Sequence, residues 1–160
     1  MKLLSTLMAA VTLAFFSTTA GADDMSDNKK NLMNFYAAFS EGDLDALDKV
    51  LIEDWVTYDA NPGQGAGRQG LKDFIPLVAA SFSDFEWKVE ELIEEGNVIV
   101  ARSTFSGTHA GDFMGHAATG KPFTAKAIDV HHFNEDGMVT HTYHLEDWIA
   151  VLAQIGALGH

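Results

Sequence analysis

The feature that most limits the fold is a change of texture near residue 85: the chain before it is spaced for helices and loop, and most of the chain after it alternates as strand. Phe85 to Glu94 and Val98 to His109 flank Glu95-Gly96-Asn97, a short hairpin connection. Phe123 to Phe133 and Met138 to Asp147 flank Asn134-Glu-Asp-Gly137, which fits a three-residue connection with Gly137 in the left-handed region as a bulge. Long hairpins of this kind build an antiparallel sheet, and its apolar face has to be covered. Upstream, Leu32, Phe35, Tyr36 and Phe39 recur at helical spacing over Asp27 to Ser40, with Ser26 or Asp27 as cap and Gly42 as stop. Asp43 caps a shorter helix carrying Leu44, Leu47, Val50 and Leu51, and Leu71, Phe74, Ile75, Val78 and Phe82 mark a third, with Pro76 near its first turns. Trp55 to Tyr58 is short enough for a strand, and the Gly-rich run from Asn61 to Gly67 reads as a rim or lid. Trp148, Val151, Leu152 and Ile155 define a terminal helix. The expectation is an α+β domain in which a curved antiparallel sheet takes the N-terminal helices on one face and encloses a pocket.

One residue is out of place in this pattern. Two-residue alternation sets Phe123, Ala125, Ala127, Asp129, His131 and Phe133 on one face, so Asp129 shares its side with small and aromatic groups. A carboxyl removed from water is destabilised in its charged form, which suits it to take and return a proton near neutral pH; the alternative is a structural carboxylate held by a hydrogen bond or exposed at a sheet edge. The three-residue turn pairs Phe133 with Val139, His131 with His141 and Asp129 with Tyr143, keeping Val139, Tyr143 and Leu145 on the Asp129 face. A two-residue turn would instead bring His144 opposite Asp129, at the cost of burying the polar side of the last strand.

The rest of the composition narrows the function classes. Met1-Lys2, the apolar stretch Leu3 to Phe16 and the small residues Ala20-Gly21-Ala22 read as a signal peptide over 1–22, so residues 23–160 are expected as one exported domain, periplasmic or secreted. The apolar run is short for a membrane span and no second one follows. Zero cysteines exclude disulfides, thiolate metal sites and cysteine nucleophiles. A net charge of −13 repels phosphate backbones and anionic lipid, which disfavours nucleic acid and membrane surfaces as partners and leaves small molecules.

Gly107 to Gly115, Thr119 to Pro122, Ile128-Asp129, Gly137 to Val139, Leu145 to Asp147 and Gln154 to Gly156, preceded by Glu41 to Leu47, Trp55 to Tyr58 and Pro62-Gly63, together resemble the SnoaL-like polyketide cyclase or ester cyclase family. The resemblance implies a nuclear transport factor-like cone, usually dimeric, with a deep pocket and no metal or cofactor. It also implies that Asp129 is the general acid/base of an intramolecular aldol ring closure. The chain departs from the family pattern at Ala127, where characterised cyclases carry His, and at Tyr58 and Tyr143, where many members carry His and Trp.

If Asp129 removes a proton next to a carbonyl, the enolate oxygen needs donors. Tyr143 on the facing strand is the first candidate, followed by Tyr58 at the pocket mouth and His131 beside the acid. Trp55 and Phe35 are expected as pocket wall. Arg102 pairs either with Asp129, which would weaken the base, or with the acidic surface. His131, His141 and Asp129 have the ligand types of a two-His-one-carboxylate metal set, a weaker signal than a helical His-Glu-x-x-His. His109 and His116 are expected to be exposed in the Gly-rich loop, and His132 and His144 on the outer side of the sheet. A carrier of apolar ligands without turnover is the alternative to an enzyme, and an epoxide hydrolase or ketosteroid isomerase-like activity is a third reading.

Overall fold

Ser26 opens the first helix as the sequence pattern predicts, its Oγ accepting from the Lys29 backbone N–H at 3.1 Å, and Gly42 closes it in the left-handed region at φ 72°. A computed structural model describes residues 25–158. The signal-peptide expectation for 1–22 lies outside the described residues. Helix α1 spans Asp27–Glu41; Asp43 caps a 3₁₀ turn over Leu44–Ala46 that runs into the short helix α2, Leu47–Val50. Strand β1 (Leu51–Tyr58) leads through the 61–67 loop to α3 (Gly67–Ser81). Strands β2 (Phe82–Glu95), β3 (Val98–His109), β4 (Pro122–Phe133) and β5 (Val139–Glu146) follow, and α4 (Trp148–Ile155) ends the domain.

The sheet order is β1-β5-β4-β3-β2, antiparallel except that β1 runs parallel to β5, so the sheet is mixed rather than wholly antiparallel. Two register shifts in β2, at Ser83/Glu86 and Val89/Glu91, bend that strand as bulges do. The expected inner face of β4 is buried throughout, with Phe123, Ala125, Ala127, Asp129, His131 and Phe133 all inside. Helix α1 lies across it, and Tyr36 stacks on Trp87 with ring centroids 5.7 Å apart. Ala101 and Ser103 on β3 pair with Asp129 and Ala127, so small side chains leave room around the acid for the Tyr36 ring.

Pro76 sits well inside α3 rather than near its start, because the helix begins earlier than its apolar stripe suggests. At this end of the helix the backbones of Gly65 and Gly70 touch: a Cβ on Gly70 would come within 2.1 Å of Gly65. This contact ties the 61–67 loop to the first turns of α3. Among the described residues no helix is long and apolar enough to cross a membrane.

The second hairpin carries the main correction. Its turn is as expected: Gly137 has φ 74°, and Asn134 Oδ1 accepts from the Asp136 and Met138 backbone N–H groups. Phe133 pairs with Val139, but His132 then pairs with His141, leaving Thr140 as an extra residue. Thr140 caps the irregularity by donating its hydroxyl to the His132 carbonyl at 3.1 Å. Beyond this bulge the register is shifted by one, so His131 faces Thr142 and Asp129 faces His144.

Candidate active site

That one-residue shift decides which side chains surround Asp129. Tyr143, Tyr58 and His141 are carried to the outer face, where the two tyrosines stack on each other at 4.6 Å and each is 46% exposed. Neither tyrosine reaches Asp129, and with His141 outside, the set His131, His141 and Asp129 does not assemble. Arg102 also lies outside and pairs with Glu91 at 3.1 Å, the acidic-surface option. His109 is fully buried at the end of β3, against the expectation of exposure. His131, Trp55 and Phe35 are inside as expected.

Asp129 is 2% exposed and both its oxygens are engaged. Tyr36 donates its hydroxyl to Oδ2 at 2.9 Å, and His144 Nδ1 lies 3.0 Å from Oδ1. The imidazole that Ala127 does not provide is thus supplied across the hairpin by His144.

Behind Tyr36 runs a chain of hydrogen bonds: Tyr36 Oη to His131 Nε2 at 2.8 Å, His131 Nδ1 to Thr142 Oγ1 at 3.0 Å, and Trp55 Nε1 to Thr142 Oγ1 at 3.1 Å. Chemistry at the two ends fixes its direction. An ionised carboxylate only accepts and an indole only donates, so Tyr36 donates its hydrogen bond to Asp129 and must accept from His131 Nε2–H. His131 is then neutral, its Nδ1 accepting from Thr142, whose oxygen accepts from Trp55. Burial, opposed by the nearby Asp129 charge, depresses the His131 pKa to about 4, which agrees with a neutral ring. Burial and the adjacent Asp129 charge push the Tyr36 phenol well above its ordinary value, so it remains a donor.

His144 has two acids. Besides Asp129, Glu146 Oε2 approaches Nε2 at 3.5 Å. Burial works against a charged ring, but the contacts with Asp129 and Glu146 outweigh it and raise its pKa to about 10. Asn61 complicates this. Trp148 Nε1 donates to Asn61 Oδ1 at 2.8 Å, which turns the Asn61 amide nitrogen toward His144 Nε2 at 3.1 Å. A donor so placed serves a ring whose Nε2 bears a lone pair, whereas the protonated ring gives Nε2–H to Glu146 and repels the amide. The charge on His144 is therefore coupled to the seat of Asn61 on the rim loop.

The cavity beside these groups is about 20 Å³, room for one water, with Phe35, Phe39, Trp55 and Trp87 as aromatic wall. It is a notch rather than a deep pocket. Asn61 also belongs to the wall of a neighbouring apolar pocket of about 220 Å³ formed by Phe74, Val78, Phe113 and Trp148. Among the described residues no three His, Cys, Asp or Glu side chains are grouped to hold a metal. Sequence reasoning missed Tyr36 as a polar partner, taking its helical spacing as packing alone, and missed Asn61, Thr142 and Glu146. Tyr36 left one signal, a lone hydroxyl in a stripe otherwise of Leu and Phe.

Residues 30–155 match a family model described as SnoaL-like polyketide cyclase. The structure of TsrD from Streptomyces laurentii aligns with a TM-score of 0.74 at 30% identity, covering 81% of this chain and 95% of that one. IdmH from Streptomyces antibioticus, described as a candidate polyketide cyclase, aligns with a TM-score of 0.70 at 27% identity, covering 82% and 99%. AclR from Streptomyces galilaeus, described as a candidate hydroxylase, gives 0.72 at 23% identity over 84% and 99%, a likeness of fold alone. No curated protein sequence matches the chain. Because the family match runs from α1 to the end of α4 and the cone is common to these structures, the chain belongs to the SnoaL-like polyketide cyclase family.

Proposed function

We propose that Asp129 acts as a general acid/base on a small enolisable carbonyl compound, and that aldol-type ring closure is the reaction the site suits best. The observation that carries this reading is a buried carboxylate at the edge of a notch, held between a phenol and an imidazole. In the forward step an Asp129 oxygen takes the proton from the carbon next to the carbonyl, and the C–H electron pair becomes the enolate. The enolate carbon then bonds to a second carbonyl carbon of the same molecule, and the alkoxide so formed recovers the proton from Asp129. The balance is redox-neutral and every proton carrier is a side chain of the site. Tyr36 and His144 orient the carboxylate; they are positioning residues in this scheme.

The test is exchange of α-protons for deuterium on simple β-keto esters. Asp129→Asn is expected to lower the exchange rate by about a hundredfold or more. Equal rates in both proteins would remove Asp129 from the chemistry. A carrier without turnover is the second reading, and the neighbouring apolar pocket of about 220 Å³ walled by Phe74, Val78, Phe113 and Trp148 favours it. Ligand retained through native purification without any exchange activity would select the carrier.

Two further points belong to this reading. Export, to the periplasm or beyond, is proposed from residues 1–22. A homodimer is proposed through the outer sheet face, where Val56, Tyr58, Ile128, Tyr143 and the 71% exposed Leu145 lie together on β1, β5 and β4. A contiguous apolar patch of this kind marks an interface. Leu145→Glu is expected to convert a dimer to monomer in analytical ultracentrifugation while the fold is retained; an unchanged sedimentation coefficient would place the interface elsewhere.

A further inference from the structure

The register shift that brings His144 to Asp129 also places His132 and His141 side by side on the outer face, where their rings stack with centroids 4.2 Å apart and 13° between planes. Thr140 fixes the state of one of them. Its hydroxyl donates to the His132 carbonyl at 3.1 Å, so its oxygen is left to accept from His141 Nδ1–H at 2.9 Å. The neutral His141 ring then carries its lone pair on Nε2, the nitrogen farther from the backbone. A metal-ligating histidine is arranged in this way, its second ring nitrogen giving a proton to a protein oxygen that orients the ring. His132 packs on His141 and on the edge of Tyr143 at 6.0 Å, aromatic contacts that let its ring turn about the last bond.

The spacing suits a tetrahedral ion. Two zinc–nitrogen bonds of about 2.0–2.1 Å at the tetrahedral angle set the nitrogens about 3.4 Å apart, and rings stacked at 4.2 Å reach that by tilting toward each other. Neutral imidazole selects a late transition ion over magnesium or calcium, which take oxygen ligands. One chain supplies two ligands, since among the described residues no third His, Cys, Asp or Glu joins the pair. A closed structural shell takes four. The surroundings point to the source of the other two: Val56 lies across from His141 on β1, Val98 lies across from His132 on β3, and Tyr58 and Tyr143 come next along their strands. The pair therefore sits within the apolar face proposed above for a second copy. Two chains of net charge −13 repel each other, and a divalent ion held by neutral ligands puts positive charge between them.

We propose that His132 and His141 of two copies, meeting about a two-fold axis, form a four-imidazole site for one zinc ion that links the dimer. The site rests on the outer-face dimer reading. It is independent of Asp129, which lies on the opposite face of the sheet.

The experiment measures zinc content and sedimentation velocity of the full chain after EDTA treatment and again after zinc is returned. The expected result is about one zinc per two chains and a dimer dissociation constant about a hundredfold lower in zinc than in EDTA, with magnesium having no effect. His132→Asn and His141→Asn should each abolish the zinc effect while the urea midpoint in EDTA stays near that of wild type. Thr140→Val should weaken zinc binding about tenfold, and Thr140→Ser should restore it. One zinc per chain, no retained zinc, zinc bound equally by wild type and both histidine variants, or a dimer of equal strength in zinc and EDTA would overturn the shared site. The last of these leaves the dimer reading standing, whereas a chain that stays monomeric in zinc and in EDTA defeats the interface and the site together.

Discussion

Stability is expected to peak near pH 6.5 and to fall on both sides, because two buried histidines of one site are shifted in opposite directions. His131 is held to a pKa of about 4 by burial, below its ordinary 6.5. Between those values the unfolded chain binds a proton that the folded one refuses, so its contribution is present above pH 6.5 and lost as pH falls through 4. His144 is the reverse. Its pKa of about 10 lies above 6.5, so the folded chain keeps a proton that the unfolded one releases. That contribution is complete below pH 6.5 and is lost as pH rises toward 10. At about 1.4 kcal/mol per pH unit, each limb is worth on the order of 3 kcal/mol, the alkaline one somewhat more. His141 on the outer face, held slightly low by partial burial and by His132, acts in the sense of His131 but weakly. The Tyr36 phenol extends the alkaline loss, since the unfolded chain ionises there first. Urea midpoints measured from pH 4.5 to 9.5 check this. His131→Gln should flatten the acid limb and His144→Gln the alkaline limb; a midpoint constant across the range in wild type would contradict both shifts.

These two residues also show what the sequence made legible. The elements followed from periodicity, capping and turn chemistry, and Asp129 was visible as an acid on an apolar face. The partner of Asp129 was visible only as a rejected alternative, His144 opposite the acid in the register shifted by one. Choosing the register by placing Val139, Tyr143 and Leu145 inside is sound when one face of a hairpin is core and the other is solvent. Here the inner face of β5 carries Thr142, His144 and Glu146, and the outer face carries Tyr143 and the strongly exposed Leu145. Polar groups are inside because they serve Asp129, Trp55 and the notch, and local rules fail most readily at such a site. The slip itself comes from one extra residue, Thr140, and nothing in Met138 to Thr142 announces a bulge, since β-branched residues fit a regular strand equally well. Tyr36 was hidden for another reason: helical spacing tells which way a residue points, and a phenol pointing inward looks like any aromatic until its partner 93 positions away is known.

Removing the positive ring between the two acids should cost more than any other single change in the site. His144→Leu takes away a donor to Asp129 at 3.0 Å and the contact with Glu146 at 3.5 Å, leaving two carboxylates on neighbouring strands with no charge between them. The side chains of Asp129 and Glu146 are each only 3% exposed, so water does little to screen their repulsion. Breaking one partner out of a buried ionic cluster typically costs about 3–5 kcal/mol, and this cluster leaves two charges rather than one. The cost should be reduced by neutralising the second acid. In the His144→Leu background, Glu146→Gln is expected to restore about half of the lost stability, whereas in wild type the same substitution should be destabilising because it removes a counter-charge from the imidazolium. The sign of the Glu146→Gln effect thus reverses with the residue at 144, and a double-mutant cycle of urea midpoints reads it directly. Additive effects, with Glu146→Gln destabilising by the same amount in both backgrounds, would mean that His144 carries no charge in the folded protein and that its hydrogen bond from Asn61 governs its state instead.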